Sequence, residues 1–183
     1  TATQRLRDMG QGNLGIVLNF EAVQAASDTP ADEAAADRQD GIFNQWFIQA
    51  ISQGSYPAQV LQGLGPHMPA NWQDDMTLIS QKLDWLGVNY YTRNFSSSGN
   101  PWDVASTGNL VTDMGWEVYP QGLTELLCRL HQDYQPRLLL VTENGAAFKD
   151  QLVDGVVNDT ARLDYVRDHI AATHAALQQG VPV

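Results

Sequence analysis

The sequence predicts an α/β fold built on a parallel sheet. Apolar runs of strand length occupy residues 15–20, 85–89 and 138–141, and the continuous apolar character of the last run suits a strand buried on both faces. Segments with helical spacing separate and follow these runs, so the predicted order is strand-helix-strand-helix-strand-helix. This order fits either a segment of a barrel or a doubly wound sheet.

The first crossover opens on clear helix signals. Thr29 can serve as the N-cap, Pro30 suits the first helical position, and Asp32 favours the positive end of the helix dipole. Further along, apolar side chains recur at helical spacing, and we expect them to lie in the core: Phe43, Phe47, Ala50 and Ile51, with Ile42 and Trp46 beside them.

The remaining helices follow the second and third strands. Residues 92–113 are polar and rich in Gly, Ser and Asn, which predicts a loop. An amphipathic helix then presents Leu123, Leu126, Leu127, Leu130 and Tyr134. The last helix begins at residues 158–160 and carries Leu163, Val166, Ile170 and Leu177 on one face.

Composition excludes several classes of protein. The 183 residues include 10 basic and 21 acidic side chains, a net charge of −11, which disfavours nucleic acid as a partner. The sequence contains no apolar run of the length that a membrane span needs. A single cysteine, Cys128, allows no internal disulfide, and His169 and His174 lack the spacing of a helical metal site, so we expect no metal.

Polar residues follow the third strand directly. Glu143, Asn144 and Gly145 come where parallel α/β folds place catalytic and ligand-binding groups, at the carboxyl end of a strand. A turn cap at Glu143 and an unusual backbone angle at Gly145 explain the same pattern. Asn19 near the end of the first strand is equally open to two interpretations, a turn residue or a group at the rim of a site.

Three motifs carry a resemblance to a known family. Val141-Thr142-Glu143-Asn144-Gly145 resembles the nucleophile motif of glycoside hydrolase family 1, the retaining β-glucosidases and β-galactosidases. Asp84-Trp85-Leu86-Gly87-Val88-Asn89-Tyr90-Tyr91 resembles the Asn-Tyr-Tyr strand of that family. Met114-Gly115-Trp116-Glu117-Val118-Tyr119-Pro120 resembles the segment before its seventh barrel helix. The motifs occur in the family's order, and the chain is identified as a member.

The resemblance decides between the two sheet topologies. It implies that the three strands are the fifth to seventh of a (β/α)₈ barrel. Such a barrel typically needs about 250 residues. We therefore expect residues 1–183 to be part of a single catalytic domain, truncated at both ends.

The resemblance also implies roles for individual residues. Glu143 would be the nucleophile, and Tyr91 would donate a hydrogen bond that orients it and favours its charged form. Asn89 would line the sugar pocket, Asn19 would lie near its rim, and Trp116 would form a wall on the aglycone side. The implied substrate is a small β-glucoside or oligosaccharide, and the chemistry needs no cofactor.

One part of the family's machinery does not occur in the sequence. The acid/base glutamate belongs to an Asn-Glu-Pro motif, which is absent from these residues, as are the sugar-recognising Trp and Glu residues that follow the eighth strand. We therefore expect a retaining β-glycosidase that is active when whole, and a 183-residue chain that is inactive by itself. The alternative is a non-catalytic half-barrel or a sugar-binding module. Trp102 and Trp116 belong to or adjoin the predicted loop, and a tryptophan exposed on a loop would suit stacking on a sugar face.

Overall fold

The computed structural model describes residues 1–10, 12–99 and 108–183. Its main sheet contains three parallel strands that pair in sequence order: β1 (Gly15–Ala25), β2 (Trp85–Ser96) and β3 (Leu139–Glu143). The predicted α/β fold with three parallel strands is therefore confirmed. Since the strands are parallel, their carboxyl ends meet at one edge of the sheet.

Helices lie between and after the strands. Before β2 these are α1 (Ala2–Asp8), α2 (Pro30–Asp40), a π-helical turn (Gly41–Gln45), α3 (Trp46–Gln53), α4 (Ala58–Leu64), a 3₁₀ turn (Gly65–His67) and α5 (Trp72–Ile79). After β2 come α6 (Pro120–Tyr134), a small antiparallel pair of strands, β4 (Leu152–Val153) and β5 (Val156–Val157), and α7 (Thr160–Gln178). Among the helices of the described residues, none combines the length and apolar character that crossing a membrane requires.

The core lies between one face of the sheet and the helices α3, α6 and α7. Because successive side chains of a strand point to opposite faces, alternate residues of β2 enter it, and Val88 and Tyr90 are both completely buried. The helices contribute Ile48, Leu123, Leu126, Leu127, Leu130, Ala172 and Ala176 to the same cluster.

The other face of the sheet is closely packed at Gly87. A Cβ at Gly87 would lie 2.7 Å from Val17 Cγ2 and 3.0 Å from the Thr142 side chain. These side chains come from β1 and β3, on either side of Gly87. Because Gly87 has no side chain, Val17 and Thr142 can fill the space on this face of β2.

The strand pairing is irregular near the carboxyl ends. Between β1 and β2 the register shifts after Phe20, and it skips Glu21 of β1 together with Tyr91 and Thr92 of β2. The amide of Asn44, from the π-helical turn, accepts a hydrogen bond from the Glu21 N–H at 3.0 Å and donates one to the Glu21 carbonyl at 2.8 Å. Two residues of β2 thus oppose one residue of β1, so the bulge lies in β2, and the backbone groups of Glu21 bond to Asn44 instead of to the ladder.

β1 and β2 are longer than the sequence predicts. The prediction ended β1 at residue 20 and placed Tyr90 and Tyr91 past the end of β2, but pairing continues to Ala25 and Ser96. The residues beyond the predicted ends include polar side chains, so the apolar pattern stops before the strands do. Their backbone groups nevertheless pair between the strands. The first part of the predicted loop, residues 92–96, is therefore strand, and Trp102 lies outside the described residues.

Both lateral sides of the sheet carry exposed apolar side chains. Phe47 is 56% exposed and Ile42 is 50% exposed, so the prediction that this helix buries them in the core is wrong. They adjoin Val17 on an open apolar surface beside β1. On the other side, Leu163 and Ile170 of α7 are each 64% exposed. In the described chain, apolar surface is thus uncovered at both sides of the sheet.

Candidate active site

Glu143 and Tyr91 meet at the carboxyl edge of the sheet. Glu143 is the last residue of β3, and Tyr91 lies in the neighbouring strand β2. The Tyr91 hydroxyl donates a hydrogen bond to Glu143 Oε2. This hydrogen bond is the main reason why the pKa of Tyr91 is raised to about 12. Tyr91 therefore remains a protonated donor throughout the neutral range and holds the exposed carboxylate in one orientation.

A chain of side-chain hydrogen bonds crosses all three strands beside this pair. Asn89 Nδ2 donates to Asn19 Oδ1 at 2.9 Å, and the Thr142 hydroxyl donates to Asn89 Oδ1 at 2.7 Å. The register brings these residues together, since Asn89 pairs with Asn19 on one side and with Glu143 on the other. Asn89 is buried, and both ends of its amide are fixed by these bonds.

Two further residues hold the backbone of β2 beneath Tyr91. Asn144 Nδ2 donates to the Tyr90 carbonyl at 2.8 Å, and the Tyr165 hydroxyl donates to the Tyr91 carbonyl at 3.1 Å. Asn144 Nδ2 also lies 3.1 Å from the Tyr165 hydroxyl, so α7 and the residue after Glu143 act on the same stretch of β2. Burial is the main cause that raises the pKa of Tyr165 to about 12.

Sequence reasoning assigned no role to Tyr165. Its contact with β2 depends on how α7 packs across the sheet, which no local pattern indicates. The position of Asn144 could have indicated its role, because an amide side chain at the end of a strand can form hydrogen bonds with backbone groups there.

Trp116 lies beside Tyr91. The two ring centroids are 5.5 Å apart with an interplanar angle of 47°, and Trp116 is 40% exposed. The structure thus brings Trp116, Tyr91 and Glu143 into a continuous series of contacts, with the Asn19–Asn89–Thr142 chain beside Glu143.

Glu21 is a second carboxyl group near this edge, and sequence reasoning gave it no role. It follows Asn19 by two positions in β1, and such positions share a face of a regular strand. Burial raises the pKa of Glu21 despite a weak hydrogen bond from Asn94 Nδ2 at 3.5 Å. Its proximity to Asn19 was the available signal.

The described residues contain no group of three or more His, Cys, Asp and Glu side chains arranged to hold a metal ion. His169, on the buried face of α7, bonds through Nδ1 to the Tyr165 carbonyl at 2.8 Å. Burial lowers its pKa, which favours the neutral imidazole.

Comparison with known proteins gives a consistent result. The profile of glycosyl hydrolase family 1 matches residues 1–183. The chain is 35% identical over 178 residues to a β-glucosidase from Agrobacterium sp., and the match covers 93% of this chain and 39% of that enzyme. It is 36% identical over 181 residues to β-glucosidase A from Thermotoga maritima, with 94% of this chain and 40% of that enzyme covered. The chain thus spans about two fifths of the length of these relatives.

Solved structures show the same likeness. The family 1 β-glucosidase from Thermotoga maritima matches with a TM-score of 0.92 and 34% identity, covering 99% of this chain and 42% of that one. Another structure of a β-glucosidase from Thermotoga maritima, with a TM-score of 0.92, is a complex with glucoimidazole. This likeness confirms the predicted partial (β/α)₈ barrel. Since the family profile extends over residues 1–183 and the fold is that of a solved family member, the chain belongs to glycosyl hydrolase family 1.

Proposed function

We propose that the full-length polypeptide carrying this chain is a retaining β-glycosidase of the β-glucosidase type. It would hydrolyse terminal β-D-glycosides by a double displacement in which Glu143 is the nucleophile. The observation that carries this proposal is the hydrogen bond from the Tyr91 hydroxyl to Glu143, at the carboxyl edge of a parallel sheet. Both family membership and the position of enzymatic groups in such folds support it.

The reaction proceeds in two steps at Glu143. In the first step a carboxylate oxygen attacks the anomeric carbon, the bond to the leaving oxygen breaks, and a glycosyl ester forms. In the second step water attacks the same carbon, gives its proton to the second carboxyl group acting as base, and releases Glu143. Two inversions at one carbon retain its configuration.

The proton donor must come from another part of the polypeptide. Retaining enzymes place the second carboxyl group about 5–5.5 Å from the nucleophile. By family resemblance it belongs to an Asn-Glu-Pro motif, and the sequence of these 183 residues contains none. We therefore propose that residues 1–183 belong to a larger single barrel domain and do not turn over substrate by themselves. The uncovered apolar sides of the sheet support this proposal.

The role of Tyr91 follows from its position. Its hydroxyl contacts Oε2 of Glu143, which leaves Oε1 as the oxygen that attacks. A carboxylate held in one orientation needs less rearrangement to reach the transition state. The dipole of the Tyr91 hydroxyl also lies next to the carboxylate whose charge changes during the reaction.

Substrate binding would use the neighbouring polar and aromatic groups. Asn19 and Asn89 offer amide groups for sugar hydroxyls, and their mutual hydrogen bond fixes their orientation. The exposed indole of Trp116 offers a flat apolar surface for the leaving group. The substrate class would be a small β-glucoside or oligosaccharide, without a cofactor.

The test is Glu143→Ala in the full-length polypeptide. We expect glycosidase activity to fall by several orders of magnitude, because a nucleophile and its proton donor act as a unit. Azide should enter the space left by the side chain, partly restore turnover and yield an α-glycosyl azide from a β-glycoside. A β-glycosyl azide would instead identify Glu143 as the acid/base, and the assignment as nucleophile would be wrong.

A further inference from the structure

Residues 110–118 form a short hairpin-like segment, which we call the Trp116 turn. Its two sides pair through an antiparallel bridge between Val111 and Glu117 and through a hydrogen bond from Val118 N–H to the Leu110 carbonyl at 2.8 Å. Thr112 closes the turn, since its N–H donates to the Trp116 carbonyl at 2.8 Å. Trp116 therefore occupies a defined place in a folded segment.

A buried ion pair attaches the Trp116 turn to β2. Arg93 Nε lies 2.6 Å from Glu117 Oε2, and a second guanidinium nitrogen lies 2.8 Å from Oε1, so the contact is bidentate. The side chains are only 10% and 3% exposed. The guanidinium carbon lies 3.9 Å from the centroid of the Tyr119 ring and 4.5 Å from that of Phe95. A third guanidinium nitrogen donates to Gln24 Oε1 at 3.0 Å.

Two more contacts hold the turn across the carboxyl edge. The Thr92 hydroxyl donates to the Glu117 carbonyl at 2.9 Å, which adds a second link to β2. The Asp113 N–H donates to the Ala147 carbonyl at 2.8 Å, which links the turn to the segment after Glu143. The Trp116 turn therefore bridges β2, which carries Tyr91, and the segment that follows Glu143.

The chemistry of this pair favours a positioning role. Burying two charges costs desolvation free energy, which offsets much of the attraction between them. An ion pair of this kind therefore adds little to stability, and its main effect is to favour one arrangement of the two side chains. The planar fork of arginine fixes both the distance and the angle to a carboxylate. Because Trp116 directly precedes Glu117 in the sequence, holding Glu117 against Arg93 also fixes the position of Trp116.

We propose that Arg93 and Glu117 are positioning residues that hold the Trp116 ring against Tyr91 and thereby keep the Tyr91 hydroxyl on Glu143. Tyr91 is partly exposed, and a tyrosine at a surface can adopt other side-chain rotamers. A ring packed 5.5 Å away restricts them. The consequence for catalysis rests on the proposed function, whereas the consequence for Tyr91 itself does not.

The first experiment is a double-mutant cycle in the full-length polypeptide. Glu117→Gln preserves the shape of the side chain and removes its charge. We expect it to lower kcat about ten-fold with a smaller change in KM, as for an interaction that acts in the transition state. In the Tyr91→Phe background the same change should lower kcat less than about two-fold, because the hydroxyl that it positions is absent. Equal factors in the two backgrounds would overturn the proposal.

Arg93→Lys provides a second variant with a smaller perturbation. It keeps the positive charge and removes the bidentate fork, so we expect a loss of kcat in the same direction as for Glu117→Gln. Wild-type kcat in a folded Arg93→Lys protein would contradict a requirement for the fork.

The second experiment reports on Tyr91 without using activity. In protein labelled with ¹³C at the tyrosine Cζ, the resonance missing from Tyr91→Phe identifies Tyr91. In the wild type we expect this phenol to stay protonated beyond the ordinary tyrosine pKa of 10.0, because it donates to Glu143. In Glu117→Gln it should ionise at lower pH, close to the ordinary value. An unchanged titration in the folded variant would overturn the proposal.

Asp84→Asn is the matched control for both experiments. Asp84 forms an ion pair with Arg7 at 3.0 Å, next to the amino end of β2. Removing the charge of Asp84 should leave the Tyr91 titration unchanged. If Tyr91→Phe had no effect on kcat, the assigned role of Tyr91 in the reaction would fail. The titration would still decide whether Arg93 and Glu117 position Tyr91.

Discussion

The Tyr91 hydroxyl makes one hydrogen bond to the proposed nucleophile, so its removal is a narrow test. A hydrogen bond to a charged group contributes about 1.5–3 kcal/mol. Tyr91→Phe in the full-length polypeptide should therefore lower kcat/KM roughly ten- to hundred-fold and leave the fold intact. Steady-state kinetics with an aryl β-glucoside measures the change.

Tyr56→Phe is the control for this substitution, because it also removes one hydroxyl from a ring in an aromatic stack. Tyr56 packs on Trp46 with ring centroids 4.0 Å apart, in the crossover between β1 and β2. It should retain wild-type activity. An unchanged rate for Tyr91→Phe would remove Tyr91 from the mechanism.

Tyr165 makes stability sensitive to alkaline pH. Its pKa is raised from 10.0 to about 12, chiefly by burial, so the unfolded chain releases this proton at lower pH than the folded chain does. The unfolded state then binds fewer protons between these values, and the free energy of unfolding falls as pH rises through them. Below pH 10 the contribution of Tyr165 to stability is fully present.

The prediction is checked by denaturant unfolding of the full-length polypeptide at pH 9 and pH 11. Tyr165→Phe should show a smaller decrease in the free energy of unfolding between these pH values than the wild type does. Identical decreases in the two proteins would show that Tyr165 titrates normally.

At the scale of elements, two glycines should respond in opposite ways to a methyl group. Gly87→Ala places a Cβ 3.0 Å from the Thr142 side chain, whose hydroxyl is bonded to Asn89. Overpacking of this kind costs about 1–3 kcal/mol. In α4, a Cβ at Gly63 would meet no atom of the described residues within 4 Å, and Gly63→Ala should stabilise the helix by up to about 1 kcal/mol.

Thermal or denaturant unfolding of the two full-length variants measures both effects. Gly87→Ala should also lower activity, since Thr142 precedes Glu143 and would be displaced. Gly63→Ala should leave activity unchanged. Equal stability of the Gly87→Ala variant and the wild type would show that Val17 and Thr142 move aside freely.

The sequence predicts the middle of each strand better than its end. Residues 138–141 are apolar and predict a buried strand, and Thr29 caps its helix as expected by accepting from the Asp32 N–H. Arg93 and Asn94 continue β2 although their side chains are polar, because backbone pairing with β1 is indifferent to them. A pattern of apolar residues also does not predict bulges, and here the register shifts between β1 and β2 and between β2 and β3.

Some residues of the candidate site could be predicted from the sequence, and others could be identified only in the folded structure. Glu143, Tyr91 and Asn89 could be selected from the sequence because each belongs to a short motif that resembles one of the family. Tyr165 could not, since its hydrogen bond to the Tyr91 carbonyl forms only after α7 packs on the sheet. The Arg93–Glu117 contact likewise joins residues that are 24 positions apart in the sequence.

At the scale of the whole molecule, the uncovered sides of the sheet decide how the 183-residue chain behaves by itself. Exposing a few hundred Å² of apolar surface costs several kcal/mol at about 25 cal/mol per Å². This is comparable to the total stability of a normal domain, about 5–15 kcal/mol. The isolated chain should therefore aggregate or form a loosely packed state that binds hydrophobic dyes, without hydrolysing aryl β-glucosides.

Dye binding, calorimetry and an amide NMR spectrum of the isolated chain check this prediction. The comparison is with the full-length polypeptide, which should show a cooperative transition and little dye binding. A soluble monomeric chain with a cooperative transition and dispersed amide resonances would contradict it. That outcome would favour the alternative of a self-sufficient, non-catalytic domain.

The π-helical turn Gly41–Gln45 has a consequence for how this region tolerates changes in length. A π-helical turn holds one residue more than the α-helical turn it replaces. Deleting one residue before Asn44 would yield a regular helix and would shift Asn44 from its present position relative to the helix before it. The Asn44 amide would then leave the Glu21 peptide, which loses both of its hydrogen bonds. A single-residue deletion in this helix would therefore disturb the carboxyl edge of the sheet, whereas a deletion in an exposed connection would not.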